Sequence, residues 1–280
     1  MTQVSARPQD LPDFENPPLA ETVFSLQFAP LTALATPYVG LLWERFQGDF
    51  PAMEEHPPLA PVTESFESPL PARVEVMIEE KPPLRRVWFL NQSKTELIQL
   101  QADRFIHNWR QREGFDLYPH YEPIRDNFRS EVSQLERFLD DHKLGKLRVN
   151  QCELTYLNHI EPAGVWQKHG ELQSVLRNWS PWPKGGFLPE PEDVGVHLRF
   201  VMRNNRHEPI GRLHATLQPA WKKVDNSPIL LLNMTARGVP LGEGIEGAFS
   251  FFDLSREWIV RGFAEITTPE MQRVWGKSNA

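Results

Sequence analysis

Apolar residues at every second position mark most of this chain as strand. Between Glu21 and Phe28, the set Phe24, Leu26 and Phe28 alternates with Ser25 and Gln27, the pattern of a strand with one buried face. A proline- and acid-rich stretch at 51–71 reads as a loop. Strands follow near 72–79, 85–91 and 95–106, the last two joined by the polar turn Asn91-Gln92-Ser93-Lys94. A second set opens at 147–160, where Cys152, Leu154, Tyr156 and Ile160 share one face, and continues at 194–203, 210–221 and 228–237. The period changes to that of a helix at about 36–47, 119–142, 168–179 and 244–266. The 168–179 stripe is Leu172, Val175, Leu176 and Trp179, whereas 244–266 is apolar on more than one side, as in a helix sandwiched between layers. Thr268, Pro269 and Glu270 have the order of a helix start, with Val274 and Trp275 placed to clamp onto the body.

The element order is therefore βαβββα followed by βαβββα, with the join near Gly145. This predicts an α+β fold built as a tandem duplication. A flexible arm at 1–16 would precede a first lobe at 17–145, and a second lobe at 146–280 would carry the C-terminal clamp. Each lobe would form an antiparallel sheet covered by its helices, and the two sheets could join edge to edge into a saddle or cup over two long helices. In element order alone this is similar to the duplicated folds of TATA-box-binding proteins and of bacterial effector-binding domains.

Composition narrows the picture. With 40% hydrophobic and 24% charged residues the chain is that of a globular protein. Its single cysteine, Cys152, excludes an internal disulfide and falls on the apolar parity of its strand, where it should pack as core. The first residues lack the basic and apolar blocks of a secretory signal, and no apolar run is long enough to cross a bilayer, so a cytoplasmic protein is expected. The net charge of −7 is unevenly spread: residues 1–80 hold 13 Asp/Glu against 3 Lys/Arg, while residues 81–280 hold 24 against 27. An acidic front on a near-neutral body argues against coating nucleic acid, whose phosphates demand cations.

Candidate chemistry is sparse. Gly242-Glu243-Gly244-Ile245-Glu246-Gly247 matches G-x-G-x-x-G between a strand and a helix. No strand follows to complete a dinucleotide unit, however, and two carboxylates sit where pyrophosphate would lie. These glycines read instead as a flexible entry to the last helix. The nine histidines show no metal-ligand spacing, Ser250 lies outside a nucleophile elbow, and the carboxylate pairs are sequence neighbours that point to opposite strand faces. No catalytic residue, metal or cofactor is expected. The best constellation is one hairpin. His197, Arg199 and Arg203 share a face of one strand, and Arg212 and His214 share a face of the next. If the turn is centred near 206–207, Arg199 faces His214 and His197 faces Thr216. That cationic stripe would suit a phosphate, a carboxylate ligand, or an acidic segment such as the front of this chain. The expected partner is a protein or a small anionic ligand. A small-molecule cavity under the 244–266 helix and a nucleic-acid saddle are the alternatives.

Several stretches also resemble one family across nearly the whole chain. They are Asn16-Pro17-Pro18-Leu19-Ala20-Glu21, Leu42-Trp43-Glu44-Arg45-Phe46, the stretch from Gln101 to Arg110, Cys152 to Ile160, and the closing Thr267-Thr268-Pro269-Glu270-Met271-Gln272-Arg273-Val274-Trp275-Gly276. The chain resembles the sporadically distributed bacterial family of uncharacterised proteins. The resemblance implies no activity, cofactor or catalytic residue. The family's patchy distribution is similar to that of phage-defence and toxin–antitoxin cargo, which implies an interaction role.

Overall fold

The computed structural model describes residues 11–66, 85–112 and 118–277. In these residues the chain is α+β, with nine antiparallel strands in one sheet. In chain order the elements are β1 (Leu19–Phe28), α1 (Thr36–Phe46), β2 (Ala52–His56), β3 (Arg86–Leu90), β4 (Glu96–Gln101), β5 (Arg104–Arg110), α2 (Tyr121–Asp141), β6 (Val149–Ile160), β7 (Val196–Arg203), β8 (Pro209–Trp221), β9 (Pro228–Gly238), α3 (Gly244–Ile266) and α4 (Pro269–Val274). The strand order across the sheet is β2-β3-β4-β5-β1-β6-β9-β8-β7, so β1 and β6 form the central seam. Across that seam Phe24 pairs with Leu154 and Leu26 with Cys152, which puts the alternating apolar sets of both strands on one face.

The helices cover that face. Along α2, Tyr121, Ile124, Phe128, Val132, Leu135 and Leu139 recur at three- and four-residue steps and are buried. Phe24 is the meeting point: its ring lies 5.7 Å from Phe128 of α2 and 5.2 Å from Phe252 of α3. Phe105 of β5 stacks on Phe128 from the other side at 5.9 Å. Within this apolar layer His107 Nδ1 meets both Glu131 carboxylate oxygens, at 3.0 and 2.9 Å. Burial disfavours the charged imidazole, but the attraction and hydrogen bond of Glu131 outweigh it and hold His107 above its ordinary pKa. Burial likewise raises the Glu131 carboxyl, with His107 offsetting only part.

Helix α3 needs room to sit down. Gly211 and Gly238 are paired across β8 and β9. A Cβ on Gly238 would stand 2.6 Å from the Phe251 ring and 2.3 Å from the Ile210 carbonyl oxygen; one on Gly211 would stand 3.0 Å from the same ring. The two glycines form the dimple that receives Phe251.

Several expectations change. The predicted strand at 95–106 is a hairpin, β4 and β5, turning at Ala102-Asp103. Leu100 and Phe105 pair across it on the helix side, which one continuous strand could not achieve because their positions differ in parity. The expected loop at 51–71 contains β2, which pairs with β3. The strand expected at 72–79 lies outside the described residues. The helix expected at 168–179 is reduced to a 3-10 turn, Leu172–Ser174. Its apolar residues Leu172, Val175 and Leu176 are buried as the pattern requires, but Trp179 is 38% exposed. The cause is competition for backbone partners. Arg177 N–H donates to Ile266 O, Thr268 N–H to Val175 O, and the Thr268 hydroxyl to Ser174 O. The Arg177 amide and the Ser174 and Val175 carbonyls, which a longer helix would need, are thus spent on the end of α3. Thr268 also caps α4, accepting from Met271 N–H at 3.3 Å. Among the described residues no helix is long and apolar enough to cross a membrane.

Replacing Gly238 with alanine should overpack this dimple. We expect a loss of about 1–3 kcal/mol in urea unfolding, with Gly40→Ala, on open space, as a control that loses no more than ordinary surface changes do.

Candidate functional site

The strand residues opposite the helices are polar, and several of them are buried nonetheless. In one row across the sheet, Gln101 of β4 pairs with Arg104 of β5, Arg104 with Gln27 of β1, and Gln27 with Gln151 of β6. All four are buried. A buried amide is costly unless its donors and acceptors are met. Residues 57–66, Pro-Pro-Leu-Ala-Pro-Val-Thr-Glu-Ser-Phe, meet all three glutamine oxygens, although Gln151 Nε2 and Arg104 Nε are left without a partner. This segment runs over the row, across the strands.

Its backbone is read by side chains. Leu59 N–H donates to Gln101 Oε1 at 2.9 Å, and Gln101 Nε2 returns a bond to Leu59 O at 3.0 Å. Val62 N–H donates to Gln27 Oε1 at 3.1 Å and Glu64 N–H to Gln151 Oε1 at 3.2 Å. Arg104 donates to Ala60 O at 3.2 Å and also to Gln27 Oε1. With Pro57, Pro58 and Pro61 the segment lacks three amide donors and cannot form a regular ladder, so side-chain acceptors take the role of a neighbouring strand.

The segment ends in a charge cluster. The Glu64 side chain is only 7% exposed, forms ion pairs with Arg212 of β8 and, at 3.8 Å, with Arg237 of β9, and lies within hydrogen-bond reach of His214 Nε2 at 2.8 Å. Arg237 Nε also donates to Glu153 Oε2 at 2.5 Å. Arg212 donates to Ser65 O at 3.3 Å and lies over the Phe66 ring at 4.9 Å. Two arginines thus face two carboxylates. Burial, followed by Arg237, Arg212 and Arg199, lowers the His214 pKa to about 4. Neutral His214 therefore donates Nε2–H to Glu64, and its Nδ1 is left as an acceptor towards His197 Nε2, 3.5 Å away.

The hairpin register places Arg199 opposite His214 and His197 opposite Thr216. Of the five hairpin residues singled out in the sequence, the fold gathers Arg212 and His214 around Glu64. His197 and Arg199 stand exposed beside them on β7. Arg203 is elsewhere: a register shift follows Met202, and Arg203 donates to His207 O at 2.7 Å at the hairpin end. The sequence reading missed Arg237, Glu64 and the Gln27–Gln101–Gln151 row. The only sequence mark of Arg237 and the glutamines is polar parity on strands, which a solvated face would share, and Glu64 lies in a loop with no periodic mark.

Beneath α3 a cavity of about 640 Å³ opens between Trp258 and Gly262 of the helix and Leu198 and Phe200 of β7, with Arg261 and Asn178 also in its lining. The glycine run before α3 is a packed turn. Gly242 has φ +117°, and a Cβ on Gly247 would lie 2.3 Å from the Gly242 carbonyl oxygen. Leu241 N–H donates to Gly247 O at 2.8 Å, which closes the turn. Cys152 is buried, and burial pushes its thiol pKa far up. Among the described residues no group of three or more His, Cys, Asp or Glu could hold a metal ion. No protein-family model and no curated protein matches the chain.

The depressed His214 pKa carries a sign. A histidine whose folded pKa lies below its unfolded value of about 6.5 contributes stability that is full above that pH and lost as pH falls towards 4. The stability gap between the native chain and His214→Asn should therefore narrow from pH 6.5 to 4 in urea titrations. A gap that stays constant would remove this role.

Proposed function

We propose that the protein is a binding protein without chemistry of its own, and that its ligand surface is the polar face of the sheet. In this reading the chain is a tandem pair of lobes, 17–145 and 146–280, joined at the β1–β6 seam. The mirrored strand order on either side of that seam supports it. The ligand is a protein partner or a small anion. The observation that carries the proposal is the seat of Glu64, in which Arg212, His214 and Arg237 surround a nearly buried carboxylate. Charge-assisted donors converging from two strands onto one carboxylate are the chemistry of anion recognition. His197 and Arg199 extend the same cationic stripe into solvent. A defence or toxin–antitoxin accessory would use such a surface to hold its partner.

Native mass spectrometry of the chain isolated from its host should show a bound anionic species or partner. Arg212→Ala with Arg237→Ala should weaken its retention at least tenfold, since truncating one side of a desolvated charge pair costs about 2–5 kcal/mol. Full retention by the folded double variant would sink the reading.

A second reading has its own observation. The cavity under α3 is of ligand size and is lined by Trp258, Phe200 and Leu198, which supports a sensor of a small apolar molecule. An apolar fluorescent dye should brighten in its presence, and Leu198→Trp, which fills the cavity, should abolish the signal. Equal brightening by both proteins would remove this reading.

A further inference from the structure

The sheet surface around residues 57–66 has a donor and acceptor pattern more particular than anion binding requires. Three glutamine oxygens, on β4, β1 and β6, each accept a main-chain N–H, from Leu59, Val62 and Glu64. Gln101, Arg104 and Arg212 donate to the carbonyls of Leu59, Ala60 and Ser65. The surface reads both kinds of backbone group of an extended peptide, and it reads one side chain strongly, the Glu64 carboxylate. A phosphodiester backbone offers no N–H donors to a row of amide oxygens, and a small anion needs only the arginine end. The prolines also fit. They hold the segment extended beforehand and lower the entropy lost on docking.

Resting on the reading of the polar face as the ligand surface, we propose that its ligand is an extended, proline-containing, acidic segment of a partner protein. Residues 57–66 are the resident stand-in that this segment displaces. Being on the same chain, the stand-in competes at an effective concentration of about millimolar and scales the partner's apparent affinity down to the fraction of time it leaves the face free. The partner segment must therefore match or exceed the resident one, with amide donors at the spacing of Leu59, Val62 and Glu64 and a carboxylate at the Arg212–His214–Arg237 seat.

The test opens the face in the full chain. Val62→Pro removes the amide donated to Gln27, and Glu64→Ala removes the carboxylate; neither residue belongs to the buried core. A fluorescent peptide of the sequence of residues 57–66 should bind this double variant at least tenfold more tightly than it binds the native chain. Adding Gln27→Ala and Gln151→Ala to the opened chain should cost at least tenfold. Should the double variant fail to fold, hydrogen exchange on the native chain replaces it: excess peptide should deprotect the amides of Leu59, Val62 and Glu64. Equal peptide affinity for opened and native chains, alongside binding of inorganic phosphate to the opened one, would overturn the peptide proposal and leave the anion reading standing. Absence of binding to both probes, with the fold intact, would overturn both. Preference of the opened face for a single-stranded oligonucleotide over the peptide would also overturn the proposal.

Discussion

Everything in this fold depends on Phe24 and the seam it sits in. The ring lies on a central strand and touches aromatic rings of both α2 and α3, so neither helix can move without exposing it. Because strand side chains alternate, committing Phe24, Leu26 and Leu154 to the helices also commits Gln27, Glu153 and Gln151 to the other side. A one-residue slip of the seam would put glutamines under the helices and phenylalanines outside, which fixes the register firmly. The dimple at Gly211 and Gly238 extends the same logic outward, because α3 can lie close to β8 and β9 only where two backbones carry no side chain.

That commitment sets the problem the second face has to solve. A sheet of this width, covered on one side, could leave its other side to water. Instead the row Gln101–Arg104–Gln27–Gln151 is buried, and leaving any one buried donor or acceptor unmet costs about 1–3 kcal/mol. The segment 57–66 meets the three glutamine oxygens of the row, and in return its Leu59, Val62 and Glu64 amides and Leu59 and Ala60 carbonyls find partners there, while Gln151 Nε2 and Arg104 Nε stay without one. Stability and recognition are then the same set of hydrogen bonds. A surface that binds its own chain through generic backbone groups is equipped to bind another chain that presents them.

The glycine run before α3 and the single cysteine serve packing. Gly247 lies so close to the Gly242 carbonyl that a Cβ at 247 would not fit, which serves a sharp entry into α3. Cys152 is a small apolar residue on the seam. Charge, by contrast, is concentrated where Glu64 is held. There burial, helped by the arginines, suppresses protonation of His214 and makes it a neutral donor, so the site keeps its hydrogen-bond polarity through the physiological range.

The sequence by itself determined what repeats within a few residues. Strand parity identified the buried face of β1 and β6, and the polar turn after β7 determined that Arg199 would face His214, because a hairpin's register follows from its turn. Short-range pattern failed where a distant backbone competed. Leu172 to Trp179 carries a helical stripe, but the Arg177 amide is taken by Ile266 O and the Ser174 and Val175 carbonyls by Thr268, roughly ninety residues away in the chain. Only the tertiary structure could place Glu64 beside Arg212, His214 and Arg237. The pairing of a loop carboxylate with strands some 150 residues later leaves no periodic trace. Side-chain alternation is a local property of the backbone and is written locally. Which polar group finally meets a buried glutamine oxygen depends on what the whole chain brings within 3.2 Å of it.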